Sequence, residues 1–504
     1  WTEATFPGLL GNVVAGRIAN RFDLGGTNCV VDAACASSHS ALSMGLMELA
    51  SGSSDLVITG GVDTLNDVLM YMCFSKTPAL SPTGDCRPFS DRADGTVLGE
   101  GLAMVALRRL ADAEAAGDRI YAIIKGIGTS SDGRATSVYA PRPEGQAVAL
   151  RRAYEAAGYS PDTVELMEAH GTGTKAGDKA ELTGLTQVFS AARTSDGPWC
   201  ALGSIKSMIG HTKGAAGAAS LFKVVMALHH KVLPPTIKVD RPRAELADGT
   251  SPFYVNTVAR PWVRNQNHPR RASVSAFGFG GSNFHATIEE YTGPYPGDRF
   301  RPAKSELLLF AARNREELAG QLNGLVARLD TQSLQEVARD LAATASQASG
   351  TCRLAILAND AASLHTTIQD LVSTLGSMDA QSSDPKGRFW FGEAPLTGRV
   401  AFLFPGQGSQ RVGMGKDLAL QFPEALGAWN EARVLKELGG APDEVVFPPP
   451  AFGDDARKVQ EERLRATDQA QPALAAASLA TLRILRSLGL SSDAYAGLSF
   501  GELV

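Results

Sequence analysis

Between Trp1 and about Glu290, short aliphatic and β-branched runs such as Asp55 to Thr59 (DLVIT) alternate with Ala-rich or amphipathic stretches such as Ala36 to Ala50. A two-residue period giving way repeatedly to a 3.6-residue period favours strands covered by helices over a bundle or a sandwich. The alternation therefore predicts an α/β fold. With 504 residues the chain has the length for about three domains of roughly 150 residues each. Two breaks rich in Pro, Gly and charge, Tyr291 to Ser305 and Met378 to Arg399, mark the divisions. The expected regions are 1–290, 291–398 and 399–504. The second should run strand (ELLLF), two helices, strand (CRLAIL), helix and an aromatic run (RFWF). The third opens with a strand from Val400 to Phe404, turns at PGQGSQ, and ends with a helix from Pro472 to Leu488 before AYAGLSFGE. No short-period repeat is found.

Composition excludes several classes. Lys plus Arg is 48 against Asp plus Glu 53, a net charge of -5, which supplies no basic field for a phosphate backbone. Nucleic acid is not an expected partner. The six Cys (29, 35, 73, 86, 200 and 352) are scattered, with no C-x-x-C pair, a pattern of reduced thiols in a cytoplasmic setting rather than disulfides or a metal site. The longest apolar candidate, Ala215 to Leu228, is interrupted by Lys223 and falls short of the ~18 residues of a membrane span. Beginning at Trp1 and stopping at Val504, the chain is expected to be an internal part of something longer.

Glycine, at 52 residues, exceeds the usual ~7%, and much of the excess lies in turns beside Cys, His and Ser. TNCVVDAACASSHSALSMGLMELASG reads as a strand to about Val31, a tight turn, and a helix carrying Leu42, Leu46 and Leu49 on one face. Cys35 then sits at a helix N-terminus, where free N–H groups and the dipole favour the thiolate a nucleophile needs. The bland alternative, a buried inert thiol, is retained for the other five Cys. His170 (VELMEAHGTGTKAG) and His211 (ALGSIKSMIGHTKGAAGAAS) each follow an expected strand in a Gly-rich turn, at the sheet edge where α/β folds bind ligands. His39, one turn beyond Cys35, should point into helix packing. His229 and His230 suit a helix C-terminus. The turn AFGFGGSNFH (Ala276 to His285) permits close backbone approach or simply closes a hairpin. Gly171 to Ala176 formally matches the dinucleotide fingerprint, but no helix opens at once after it and a His precedes it, so nucleotide binding is set aside.

DAACASS with Cys35, EAHGTGT with His170, SIKSMIGHTKGAAG with Lys206 and His211, and FGFGGSNFH together resemble the signature set of β-ketoacyl synthases. MYMCFSKTPALSPTGDCRPFSDRADG further resembles iterative type I synthases of the enediyne, polyunsaturated fatty acid and heterocyst glycolipid kinds. The resemblance implies a thiolase-like layered α/β/α/β/α ketosynthase that dimerises through this domain, with its first strand and helices upstream of Trp1. It implies that Cys35 accepts an acyl chain from an acyl carrier protein, that neutral His170 and His211 hold the enolate formed from malonyl-carrier thioester, and that Lys206 assists. Backbone N–H groups of Cys35 and Phe279 would form the oxyanion hole, Phe279 would also be the gate, and Thr172 and Thr174 would bind the phosphopantetheine arm. No tightly bound cofactor is expected. His39 stands where many members carry an aliphatic residue, and Met208 where many modular synthases carry Asn.

GRVAFLFPGQGSQRVGMGKDL and AYAGLSFGELV resemble the start of a malonyl/acyl transferase of α/β-hydrolase-like fold using malonyl-CoA, with Ser499 at a G-x-S-x-G elbow and Phe500 N–H and Gln407 serving the oxyanion. TDQAQPAL (Thr467 to Leu474) agrees with it. Leu498 replaces the family's usual His, and the general-base His and carboxylate-binding Arg would lie beyond Val504, so no transferase activity is expected of this chain by itself. The middle region resembles the small α/β linker domain between the two. Two other readings are a noncatalytic protein resembling a chain-length factor, which intact Cys35, His170 and His211 argue against, and a thiolase-like enzyme acting on CoA thioesters.

Overall fold

The computed structural model describes residues 2–3, 5–193, 197–294, 304–395, 397–438 and 442–504. The chain divides into two units: Trp1–Arg299 with Leu403–Leu490 and Ala496–Val504, and Phe300–Phe402 with Ser491–Tyr495. Most of the Tyr291 to Ser305 break (295–303) lies outside the described residues.

The first unit is built on a six-stranded mixed sheet in the order Ala122–Ser131, Ser282–Glu290, Arg271–Gly278, Leu166–Glu168, Cys200–Gly203, Phe253–Val255. The first two pairings are antiparallel and the rest parallel. Among the strands paired in parallel, Leu166–Glu168 and Cys200–Gly203 are buried throughout and Arg271–Gly278 at all but its two ends, as strands covered on both faces must be. On one face pack the helices Pro143–Ala157 and Lys175–Ala191, around Leu150, Met167, Leu185, Phe189 and Leu202. On the other lie Ser37–Ser51 and Ala216–His230, around Leu42, Leu221, Val224, Leu228, Val274 and Ile288.

These two helices also pack on a second, antiparallel sheet of Leu56–Asp63 and Gly101–Arg108. A helix between two sheets is apolar nearly all round, which explains the long apolar run of Ala215 to Leu228 as an interior element. Among the described residues no helix is long and apolar enough to cross a membrane.

Two local expectations need correction. Thr27 to Val31 pairs with no strand among the described residues and is largely exposed, since a short apolar run favours a strand but a strand exists only where a neighbour accepts its hydrogen bonds. The late helix spans Thr467–Ser487 rather than Pro472 to Leu488. Pro472 falls in its second turn and removes one hydrogen bond, while Ala470, Ala473, Leu474 and Ala476 bury the helix on both sides of it.

The second unit has an antiparallel sheet ordered Glu306–Ala312, Cys352–Ala358, Phe389–Gly392, Gln381–Ser383. The helices Arg315–Leu329, Leu334–Gln347 and Ala361–Thr374 share a core with it built from Leu308, Phe310, Leu322, Leu354, Ile356 and Leu371. Asn314, Ser333 and Asp360 cap these three helices with side-chain acceptors, Ser333 in a reciprocal box with Glu336.

Candidate active site

Ala34–Ala36 form one turn of 3-10 helix leading into Ser37–Ser51, which sets Cys35 at the mouth of the interior helix. Opposite stand two loops. His170 follows the strand Leu166–Glu168 and His211 follows the single turn Lys206–Ile209. The ligand atoms of Cys35, His170 and His211 all lie within 4.8 Å of one another, and the imidazole centroids are 5.4 Å apart at 82°. Residues far apart in sequence thus meet at one point. His170, His211 and Lys206 are buried, and Cys35 is half-buried.

Peptide N–H groups set the imidazole tautomers. Phe277 donates to Nδ1 of His170 at 3.4 Å and Lys213 to Nδ1 of His211 at 3.0 Å. An Nδ1 that accepts leaves the proton on Nε2, so each ring presents an N–H donor. Burial first, and Lys206 second, push both imidazoles well below the usual His range, with each also sensing a further cationic or imidazole neighbour. They remain neutral donors.

The thiol departs from expectation. A helix start favours a depressed pKa, yet Cys35 is raised above the ordinary thiol value. Desolvation outweighs the N–H of Phe279, the charge of Lys206 and the N–H of Cys35 itself, all of which act to lower it, and Asp63 adds to the rise. Cys35 is thus held as a thiol facing two N–H groups rather than as a standing thiolate.

Lys206 touches the backbone of the site: its Nζ donates to the carbonyl of His170 at 2.5 Å. Burial lowers its pKa against the pull of Glu168 and Glu181. Two further acids belong to the site that the sequence motifs do not mark. Glu181 accepts from the N–H groups of His170 and Gly171, both at 2.7 Å, and Asp178 from Phe89 at 2.8 Å and Gly173 at 3.0 Å. Burial raises Glu181 to about 7 and Asp178 to about 6. Their spacing of three along the helix Lys175–Ala191 puts both on the face toward the His170 loop. That i, i+3 pair of acids is the only signal the sequence offers, and it is a weak one because acids on a helix usually face solvent.

Thr172 and Thr174 share a 2.9 Å hydroxyl contact, and Thr174 caps the following helix by accepting from Gly177 at 3.2 Å. The Phe279 ring is exposed and stacks on Tyr139 at 5.5 Å. His39 is buried with Nε2 unpartnered, packed where a Cβ on Gly217 would meet its ring.

Further along, Ser499 adopts φ 54°, a left-handed non-glycine conformation at a strand-to-helical turn. The PGQG turn runs beside it, since a Cβ on Gly406 would lie 3.4 Å from that of Ser499. Gln407 Nε2 donates to Thr467 at 3.1 Å, and Gln471 donates to Gln407 at 3.3 Å. Leu498 is exposed.

Residues 2–113 match the β-ketoacyl synthase N-terminal domain, 121–240 its C-terminal domain, 242–353 the ketoacyl-synthetase C-terminal extension, and 401–504 the acyl transferase domain. The chain is 38% identical, over its whole length, to a polyunsaturated fatty acid synthase protein of Thraustochytrium sp., of which it spans 19%. It is 36% identical over 98% of its length to polyketide synthase GfsA of Streptomyces halstedii, spanning 6% of that protein. The ketosynthase from module 6 of the bacillaene synthase of Bacillus subtilis superposes with a TM-score of 0.54 at 33% identity, covering 76% of this chain and 65% of that one. The thiol, the paired imidazoles and these matches agree: the chain belongs to the β-ketoacyl synthase family and continues into an acyl transferase domain.

Proposed function

We propose that this chain performs decarboxylative Claisen condensation within a large synthase of the polyunsaturated fatty acid or polyketide type. The observation that carries the reading is the meeting of one thiol with two neutral imidazoles whose Nε2–H groups are fixed by peptide donors. Cys35 attacks an acyl thioester on the phosphopantetheine arm of an acyl carrier protein. The tetrahedral oxyanion is held by the N–H groups of Cys35 and Phe279, and the thiol proton leaves with the carrier sulfur. A malonyl-carrier thioester then enters. As its carboxylate departs as CO2, the charge moves to the thioester oxygen, where His170 and His211 donate. The enolate carbon attacks the acyl-Cys35 carbonyl and expels the Cys35 thiolate, which takes one proton from solvent. The raised thiol pKa favours that last step.

Lys206 acts through the His170 carbonyl and through its charge, which adds to burial in keeping both imidazoles neutral. In this reading Phe279 gates entry, and Thr172 and Thr174 receive the pantetheine arm. A second copy of the chain pairs through the ketosynthase in the cytoplasm. Ser499 and Gln407 belong to a transferase that loads malonyl groups from malonyl-CoA. The domains run 1–290, 291–398 and 399–504. Identity along the whole chain to the polyunsaturated fatty acid synthase of Thraustochytrium supports that pathway class. A noncatalytic chain-length-factor role is disfavoured, because such a protein has no use for the buried donors around Cys35.

Labelling with cerulenin, which alkylates condensing-enzyme thiols, followed by peptide mass mapping, tests the reading. The adduct is expected on Cys35. An adduct on exposed Cys29 or Cys73 with Cys35 unmodified would overturn it.

A further inference from the structure

We propose that Asp32 and Ser37 are positioning residues that hold the nucleophile turn in register with the oxyanion N–H of Phe279, an inference that rests on Cys35 being the nucleophile. Ala34, immediately before Cys35, has φ 50°, a left-handed conformation that L side chains other than Asn and Asp rarely adopt. Such a residue persists only where its surroundings over-determine it. Here the restraints are visible. Oδ1 of Asp32 accepts from the N–H of Ala34 at 2.8 Å. The Ser37 hydroxyl donates to the carbonyl of Ala34 at 2.7 Å and accepts from the N–H of Ala33 at 2.9 Å. Both polar groups of Ala34 are therefore occupied by side chains flanking it.

The opposite side of the turn is equally constrained. The Ala33 carbonyl lies where a Cβ on Gly278 would stand, so the turn abuts the strand end that carries Phe279. The N–H of Phe279 in turn faces the Cys35 sulfur. A turn free to relax out of the left-handed region would swing Cys35 relative to that N–H. Asp32 is itself exposed and Ser37 half-buried, so neither is needed to fill a core. Their hydrogen bonds act on geometry.

Attack on a thioester needs the oxyanion donors, whereas alkylation by iodoacetamide develops no carbonyl oxyanion and needs only a reachable thiolate. Its rate is therefore compared on the alkaline plateau, where Cys35 is ionised in every variant and the effect of the Phe279 N–H on the thiol pKa drops out. The two reactions at Cys35 therefore separate alignment from accessibility. In the full-length protein, single-turnover acylation of Cys35 by hexanoyl N-acetylcysteamine thioester should fall about 10- to 100-fold in Asp32→Ala, with iodoacetamide alkylation of Cys35 undiminished. Asp32→Asn keeps the Oδ1 acceptor and should acylate within about threefold of the unsubstituted protein. Should Asp32→Ala fail to fold, Ser37→Ala carries the same test and should show the same split. Acylation unchanged in Asp32→Ala or Ser37→Ala, alkylation falling in parallel with acylation, or Asp32→Asn as slow as Asp32→Ala would each overturn the proposal. Acyl label on another cysteine of the unsubstituted protein would instead overturn the nucleophile assignment, and the proposal with it.

Discussion

The peptide N–H of Lys213 donates to Nδ1 of His211, two residues back along the same turn, at 3.0 Å. Lys213 reaches that position in a left-handed conformation, φ 48°, with its Nζ anchored on Asn66 at 2.6 Å, Gly99 at 3.0 Å and Asp63 at 3.0 Å. A ring so held presents Nε2–H to the pocket and has no lone pair there.

This arrangement bears on metals. Cys35, His170 and His211 have the donor types and the proximity of a zinc site. Metal-bound imidazoles, however, donate their remote N–H to an acceptor, while both rings here accept from peptide N–H groups at that position. Zn2+ on Nε2 would demand an imidazolate. Equilibrium dialysis at micromolar free Zn2+ should find no stoichiometric metal that depends on Cys35. One equivalent lost in Cys35→Ala would contradict the tautomer assignment.

Both imidazoles sit well below 6.5, burial first and Lys206 second. CO2 release from malonyl thioester should therefore show no histidine inflection near pH 6.5. An inflection there that persists in both Glu181→Gln and Asp178→Asn, which remove the neighbouring acids raised to about 7 and about 6, would contradict the neutral-donor role. Stability should follow the same shifts. Below pH 6.5 the unfolded chain protonates histidines that the folded chain keeps neutral, so stability falls as pH drops through that value. His39, lowered to about 4, and His285, lowered to about 3, act in the same direction. Glu181 opposes them: raised from 4.5 to about 7, its contribution diminishes as pH rises between those values.

Gly217 is the other half of the His39 contact. A Cβ at 217 would lie 3.0 Å from Cε1 of His39 and closer still to Nδ1, so Gly217→Ala should cost about 1–3 kcal/mol in urea unfolding. Combined with His39→Ala, the loss should shrink by about 1 kcal/mol or more. Strict additivity would show that the two residues do not press on each other.

Much of this site is legible in the sequence because its chemistry is local. Cys35, His170 and His211 each lie in a glycine- or alanine-rich turn after a strand-like run, and small residues there mark close backbone approach. The Ser499 elbow is legible for the same reason. What stays hidden depends on burial. The sign of the Cys35 shift reverses because desolvation exceeds the helix-start effect, and no pattern in DAACASS reports how deep the sulfur lies. Asp178 and Glu181 have the spacing of a solvated helix face, and only the His170 loop folded over them shows otherwise. Thr27 to Val31 ends in the β-branched pair Val30 and Val31 that suits a strand, but has no pairing partner among the described residues.

The central claim, that acyl transfer and decarboxylation fall to different side chains in one pocket, is tested most directly with His211→Ala in the full-length protein. Acyl label on Cys35 and 14CO2 from malonyl-labelled carrier protein would be measured on the same sample. Removing one donor to the enolate oxygen should leave acyl-Cys35 formation largely intact and lower CO2 release about 10²- to 10³-fold. Unchanged CO2 release with acyl-Cys35 formed normally would contradict the role of His211 and return the decarboxylation step to another group.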